Sequence, residues 1–158
     1  TEATGELLQG RLALEAGRPS EAAEIARHVA GEMQKAQQTD QEASARALLA
    51  RVELRSGRLP EARRAADEAR KLLASLGRLE RLNAEVAIAE VAAATGERAQ
   101  GLARLREIMD ATRRTGQVDV RFEAWRALVE LGEERPDGLA REARKLGYLL
   151  YAQPAAGR

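Results

Sequence analysis

The 158-residue chain has no cysteine, one histidine, one phenylalanine, one tryptophan and two tyrosines. Without thiols there can be no disulfide framework and no thiolate metal site, although this absence leaves the compartment open. The single histidine, His28, has no second His or Cys with which to share a metal, so it is expected at the surface or in a structural role. Charge of one sign is lacking too. The 26 basic and 25 acidic residues are interleaved, with a formal net charge of +1, so neither nucleic acid nor a membrane is the expected partner. The longest apolar stretch, Ala84 to Ala94, is interrupted by Glu85 and Glu90 and falls short of the roughly 20 apolar residues that a transmembrane helix needs.

Catalytic patterns are missing as well. There is no Cys nucleophile, no His to activate a Ser, no His-Glu-x-x-His zinc motif, and no Gly-rich loop followed by Lys and Ser or Thr. Glu133 and Glu134 lie in an expected turn, where solvation is easy and a glycosidase-like carboxylate pair has no support. The expectation is a non-enzymatic protein with no catalytic residue, cofactor or metal.

What the chain does have is Ala, Leu, Glu and Arg in abundance, all good helix formers. With 44% hydrophobic and 32% charged residues, the composition suits one all-α domain covering residues 1–158. A core of Ala and Leu suits closely spaced helix axes. A glycine recurs after apolar helical patterns, at Gly17, Gly57, Gly96 and Gly132, with spacings of 40, 39 and 36 residues. Pro19, Pro60 and Pro136 follow three of these glycines, and proline fits the first turn of a helix. The pattern therefore predicts helix, tight turn, helix, four times over. Softer breaks fall at 37–40, 76–78 and 115–117, with Thr39 or Asp40 as an expected N-cap. The predicted units are 4–38, 40–77, 80–116 and 118–151, giving eight helices. Apolar residues recur at helical spacing, as in Leu48, Leu49, Val52 and Leu54, or Ala62, Ala65, Ala66, Ala69, Leu72 and Leu73. One helix pair cannot bury both faces, so the pairs must stack.

In these features the chain resembles the tetratricopeptide repeat family, which has a Gly near the turn, an Ala five residues later and a small residue seven before. Gly17 with Ala22 and Gly57 with Ala62 match, as do Gly10, Ala50 and Ala89. The third unit places Gly101 at the Ala position. The fourth departs, with Trp125 and Asp137 at the two small positions. The family's usual period is about 34 residues, so spacings of 36 to 40 resemble the longer repeats of bacterial LuxR-type activators, signalling-kinase tails and kinesin light chains. The resemblance implies a right-handed superhelical solenoid of four antiparallel helix pairs, within a larger, regulatory, bacterial and cytoplasmic protein. A start at Thr1, already in helical pattern, fits a piece of such a protein.

In the family the first helix of each pair lines the concave surface. That layout puts Arg11, Arg51, Glu90 and Arg126 at equivalent places, with Ser44, Asn83 and Asp119 two turns earlier and Leu14, Leu54, Ala93 and Val129 three residues later. The implied ligand is a protein or peptide segment, acidic or amphipathic, because arginines pair with carboxylates and leucines hold apolar side chains. Regularly spaced arginine is also the ordinary mark of a solvated face. The alternative functions are a small-molecule sensor and a self-associating element. A homodimer would bury Leu149, Leu150 and Tyr151 at the end of the last helix, where these residues and Tyr148 could equally cap the stack. Trp125 and Phe122 are expected to plug the fourth unit's packing, and Met33 and Met109 to fill core gaps.

Overall fold

The computed structural model describes residues 1–152, and within them every side chain except those of Leu149 and Leu150. Helix follows helix: α1 (Glu2–Glu15), α2 (Pro19–Lys35), α3 (Thr39–Arg55), α4 (Leu59–Lys71), a 3-10 turn (Leu73–Ser75), α5 (Arg78–Ala94), α6 (Arg98–Thr115), α7 (Val118–Glu130), α8 (Pro136–Leu146) and α9 (Leu149–Ala152). No strand occurs among the described residues, so the architecture is all-α. Nor is any described helix long and apolar enough to cross a membrane.

Local chemistry sets the helix ends. Prolines occupy the first turns of α2, α4 and α8, where their missing N–H leaves no hydrogen bond unmade. Gly17 sits at φ +75, which lets Arg18 N–H donate to the Ala13 carbonyl at 2.9 Å and Gly17 N–H to that of Leu14 at 3.1 Å. This double closure satisfies carbonyls that the helix end leaves free, and Gly57 and Gly132 repeat it. Between α2 and α3 the same closure is made without glycine. Gln37 takes φ +58, the one positive value at a non-glycine among the described residues, and Gln38 N–H reaches the Met33 carbonyl at 2.9 Å.

Three expected boundaries are corrected. Thr39 and Asp40 are not the N-cap of α3: Gln38 holds that position without a side-chain cap, and Asp40 lies in the first turn, where the helix dipole favours its charge. The last expected helix is two. Gly147, at φ +77, ends α8 with Tyr148 N–H on the Ala143 carbonyl at 2.8 Å, and α9 forms a separate turn. Leu72 and Leu73 also fall just beyond α4, packing on the same apolar cluster from its cap and the 3-10 turn.

Each helix packs on its neighbours in sequence, and α1, α3, α5 and α7 also pack on one another in order. Alanine makes this possible: Ala22, Ala26, Ala43, Ala50, Ala62 and Ala69 are wholly buried. At Gly101 the backbones of α5 and α6 come close together. A Cβ built on Gly101 would stand 2.4 Å from the Ala89 carbonyl oxygen and 2.7 Å from Ala93 N, so the Ala expected at such a position would not fit here. In the fourth unit the small residue is displaced by one place, and the Trp125 ring lies over Gly138. Phe122 is fully buried among Trp125, Tyr148, Tyr151, Leu139 and Ala143, its ring 5.3 Å from that of Tyr148 and 5.4 Å from that of Tyr151. Met33 and Met109 pack at the edges of two apolar clusters.

Candidate functional site

The side on which α1, α3, α5 and α7 meet divides into two regions. Towards the N-terminal ends of α1, α3 and α5 lies a groove of about 740 Å³. Its walls combine apolar side chains (Leu7, Leu8, Leu48, Leu76) with neutral polar ones (Thr4, Gln41, Ser44, Asn83), while Asp40 and Glu80 carry negative charge. Arg11 and Arg51 contribute its positive charge. Thr4, Ser44 and Asn83 occupy matching places on three helices because the turn glycines hold them in register.

Towards the C-terminal ends of the same helices the space is filled by charge. The Glu123 carboxylate on α7 accepts from Arg11 Nη2 at 2.8 Å, from Arg51 Nη1 at 2.9 Å and from the Tyr151 hydroxyl of the α9 turn. Arg51 Nε faces Glu90 on α5 at 3.8 Å. Glu15 of α1 accepts from Arg55 at 3.2 Å and from Arg126, whose guanidinium lies 4.6 Å from the centre of the Tyr151 ring. Burial alone would raise the Glu123 carboxyl, but the charges of Arg51, Arg126 and Arg11, with the Tyr151 hydrogen bond, hold it at about 2. Glu90 goes the other way: burial pushes it above its ordinary value, and Arg51 and Arg55 offset this only in part. Tyr151 is pushed up by burial and by Glu123 beside it. The cluster ties α1, α3, α7 and α9 together, although the buried Nε atoms of Arg51 and Arg55 lack a hydrogen-bond partner within it.

These positions correct part of the expected partner-binding face. Glu90 and Arg126 are buried in the cluster rather than presented to a ligand, Arg51 lines the groove but is only 11% exposed and paired with Glu123, and Arg11 is 43% exposed. Leu14, Ala93 and Val129 are core, and Leu54 is half-buried against the core. A step of three residues turns a side chain about 60° around the helix axis. That carries them into the contact with the second helix of their own pair, as Leu14 meets Ala22 and Ala26. Ser44 and Asn83 do line the groove, while Asp119 is exposed and is not among the groove's residues. Tyr151 is 5% exposed and engaged inside against Phe122 and Glu123 rather than presented to a second copy. The side chains of Leu149 and Leu150 lie outside the described residues. His28 is 64% exposed, 3.9 Å from Glu6.

Glu15, Arg55 and Glu123 were not picked out by sequence reasoning, and Tyr151 was singled out only as a cap or a dimer contact, not as a partner of Glu123. A signal was present for two of them. Counting from the turn glycines, the place of Leu48 and Ala87 is taken in α7 by Glu123, an acid where the other units are apolar. Arg55 follows Arg51 by one helical turn. No family model, curated protein or solved structure matches the chain.

Proposed function

We propose that the chain is a tetratricopeptide-like superhelical array and a non-enzymatic protein-interaction module of a larger, regulatory protein, in which the groove between α1, α3 and α5 holds a segment of a partner. One observation carries the reading: the groove is the part of the inner side that the ion cluster leaves unfilled. Its leucines suit the apolar stripe of an amphipathic segment, and Ser44, Asn83 and Gln41 offer hydrogen bonds to backbone or side chains at its edge. Arg11 is the more exposed of the groove's two positive groups and the one an acidic residue of that segment would meet, with Arg51 behind it bound to Glu123, whereas Arg126 acts from within as scaffold.

Selection of peptides from a random library against the isolated chain, followed by affinity measurement on groove variants, tests this. Ser44→Trp and Asn83→Trp, which place bulk in the groove, should each abolish binding, while Glu24→Trp on the exposed side of α2 should leave it unchanged. Peptides that bind all three variants equally, or a library that yields none, would remove the groove from consideration. A second reading has its own support, because about 740 Å³ falls within the range of small-molecule pockets. Stabilisation by members of a metabolite panel, lost in Ser44→Trp, would favour a sensor.

A further inference from the structure

Two interior helices carry the same order of side chains along the groove. On α3, Asp40, Ser44, Leu48 and Arg51 share one stripe, which runs from an acid through a hydroxyl and a leucine to an arginine. On α5, Glu80, Asn83 and Ala87 repeat the first three steps as acid, amide and apolar side chain. All seven line the groove. Asp40 and Glu80 lie in the first turns of their helices, are exposed, and make no ion pair among the described residues. At the other end Arg11 of α1 joins Arg51. Each lies six residues before its turn glycine, Gly17 or Gly57, and each commits one nitrogen to Glu123, Nη2 of Arg11 and Nη1 of Arg51. A guanidinium carries five N–H donors, so Arg11, 43% exposed, retains others for the groove. Between the charged ends two polar groups stand unused. Ser56, Thr95 and Thr112 return their hydroxyls to the carbonyl four residues back, at 2.9, 2.6 and 2.7 Å, the usual recourse of a hydroxyl inside a helix. Half-buried Ser44 does not, and neither it nor half-buried Asn83 makes a side-chain hydrogen bond among the described residues.

We infer that the occupant of the groove is an extended segment of a partner protein that carries both charges, a basic residue held at Asp40 and Glu80 and an acidic residue held at Arg11. The inference rests on the groove reading above and adds to it the second charge, the spacing and the direction. From Asp40 to Arg51 the α3 backbone rises by about 16 Å, and Arg11 holds the matching place on α1. Extended chain covers that span in about five residues. The unused Ser44 and Asn83 side chains favour extended chain over helix, because a helix has already paired its own backbone groups along its middle, whereas an extended segment offers them to its surroundings. A purely acidic segment would set like charges against Asp40 and Glu80, and a purely basic one would do so at Arg11.

The random-library selection described above, carried out at low salt, tests it. Peptides whose binding is abolished by Ser44→Trp should share a Lys or Arg and an Asp or Glu about five positions apart. Selection against Asp40→Lys with Glu80→Lys should turn the basic position acidic and leave the other acid in place. Both sites are exposed, so the circular dichroism of that variant should match the parent's. For the tightest parent-selected peptide, Asp40→Asn with Glu80→Gln should weaken binding roughly three- to fivefold, the size of a solvent-screened ion pair. Arg11→Gln should weaken it to the same extent, but should not weaken the same peptide with its acid replaced by Gln. Exchanging the two charges within the peptide should cost about tenfold or more, since both pairs are lost together. Groove-bound peptides without the paired charges, or a selected pattern that the double reversal leaves unchanged, would overturn the inference while the groove reading stands. A library yielding no peptide that Ser44→Trp blocks would overturn both.

Discussion

Arg11 in the first helix donates to Glu123 at 2.8 Å across 112 positions of sequence, and the same carboxylate holds Arg51 and the Tyr151 hydroxyl. One acid thus fastens α1, α3 and α9 to α7. Glu123→Gln keeps the shape but leaves buried Arg51 without its strongest counter-charge, and should cost about 3 kcal/mol, as loss of one partner of a buried ion pair does. Tyr151→Phe removes one hydrogen bond to a charged group and should cost about 1.5 kcal/mol. Urea unfolding followed by circular dichroism measures both. A Glu123→Gln variant as stable as the parent would mean that the cluster does not hold the inner side together.

The same carboxylate makes stability depend on pH in a stated direction. Its folded value of about 2 lies below its ordinary 4.5, so the folded state binds the proton less readily than the unfolded chain. The stabilisation is complete above pH 4.5 and is lost as pH falls from there toward 2. It amounts to about 3 kcal/mol from the size of the shift. Glu90, raised by burial, has the opposite sign and is relieved by acid. The difference in unfolding free energy between the parent and Glu123→Gln should therefore shrink steadily between pH 5 and pH 2. A gap that stays constant over that range would contradict the assignment.

Gly101 separates two kinds of glycine in this chain. Gly101→Ala drives a methyl group into the backbone of α5 and should cost about 3 kcal/mol or more. Gly31→Ala, inside α2 with nothing within 4 Å of the added atom, should instead stabilise by about 0.5–1 kcal/mol, because glycine lowers helix propensity. Thermal melts of the two variants should move in opposite directions.

Gln37 does at the α2–α3 turn what glycine does at Gly17 and Gly57. Its left-handed φ of +58 carries a steric cost of about 1 kcal/mol that glycine avoids. Gln37→Gly should raise stability by about that amount and the melting midpoint by about 3 °C. Gln37→Val should lower both, since a β-branched side chain tolerates this backbone region least.

Helices and turns were legible because they rest on local chemistry: Gly at positive φ, Pro in first turns, Ala and Leu at helical spacing. The groove was half legible, since Ser44 and Asn83 follow from register alone. The fate of Arg51, Glu90 and Arg126 was not, because whether a regularly spaced arginine meets solvent or a buried acid depends on a residue on another helix. The break between α8 and α9 was missed although Gly147 marks it, because the apolar run Tyr148–Tyr151 continues the pattern on the far side.

In arrays of stacked helix pairs, stability is ordinarily a sum over neighbours, and the units can be assembled or lost from either end. In the array proposed above, the link from Arg11 to Glu123 and Tyr151 works against that independence. During synthesis, the first three pairs could stack while the rest of the chain is still being made, yet Arg11 and Arg51 would wait for a carboxylate not yet translated. A chain that stops at Gly147 would carry its defect at the opposite end, in a first helix that can no longer count on a properly buried counter-charge.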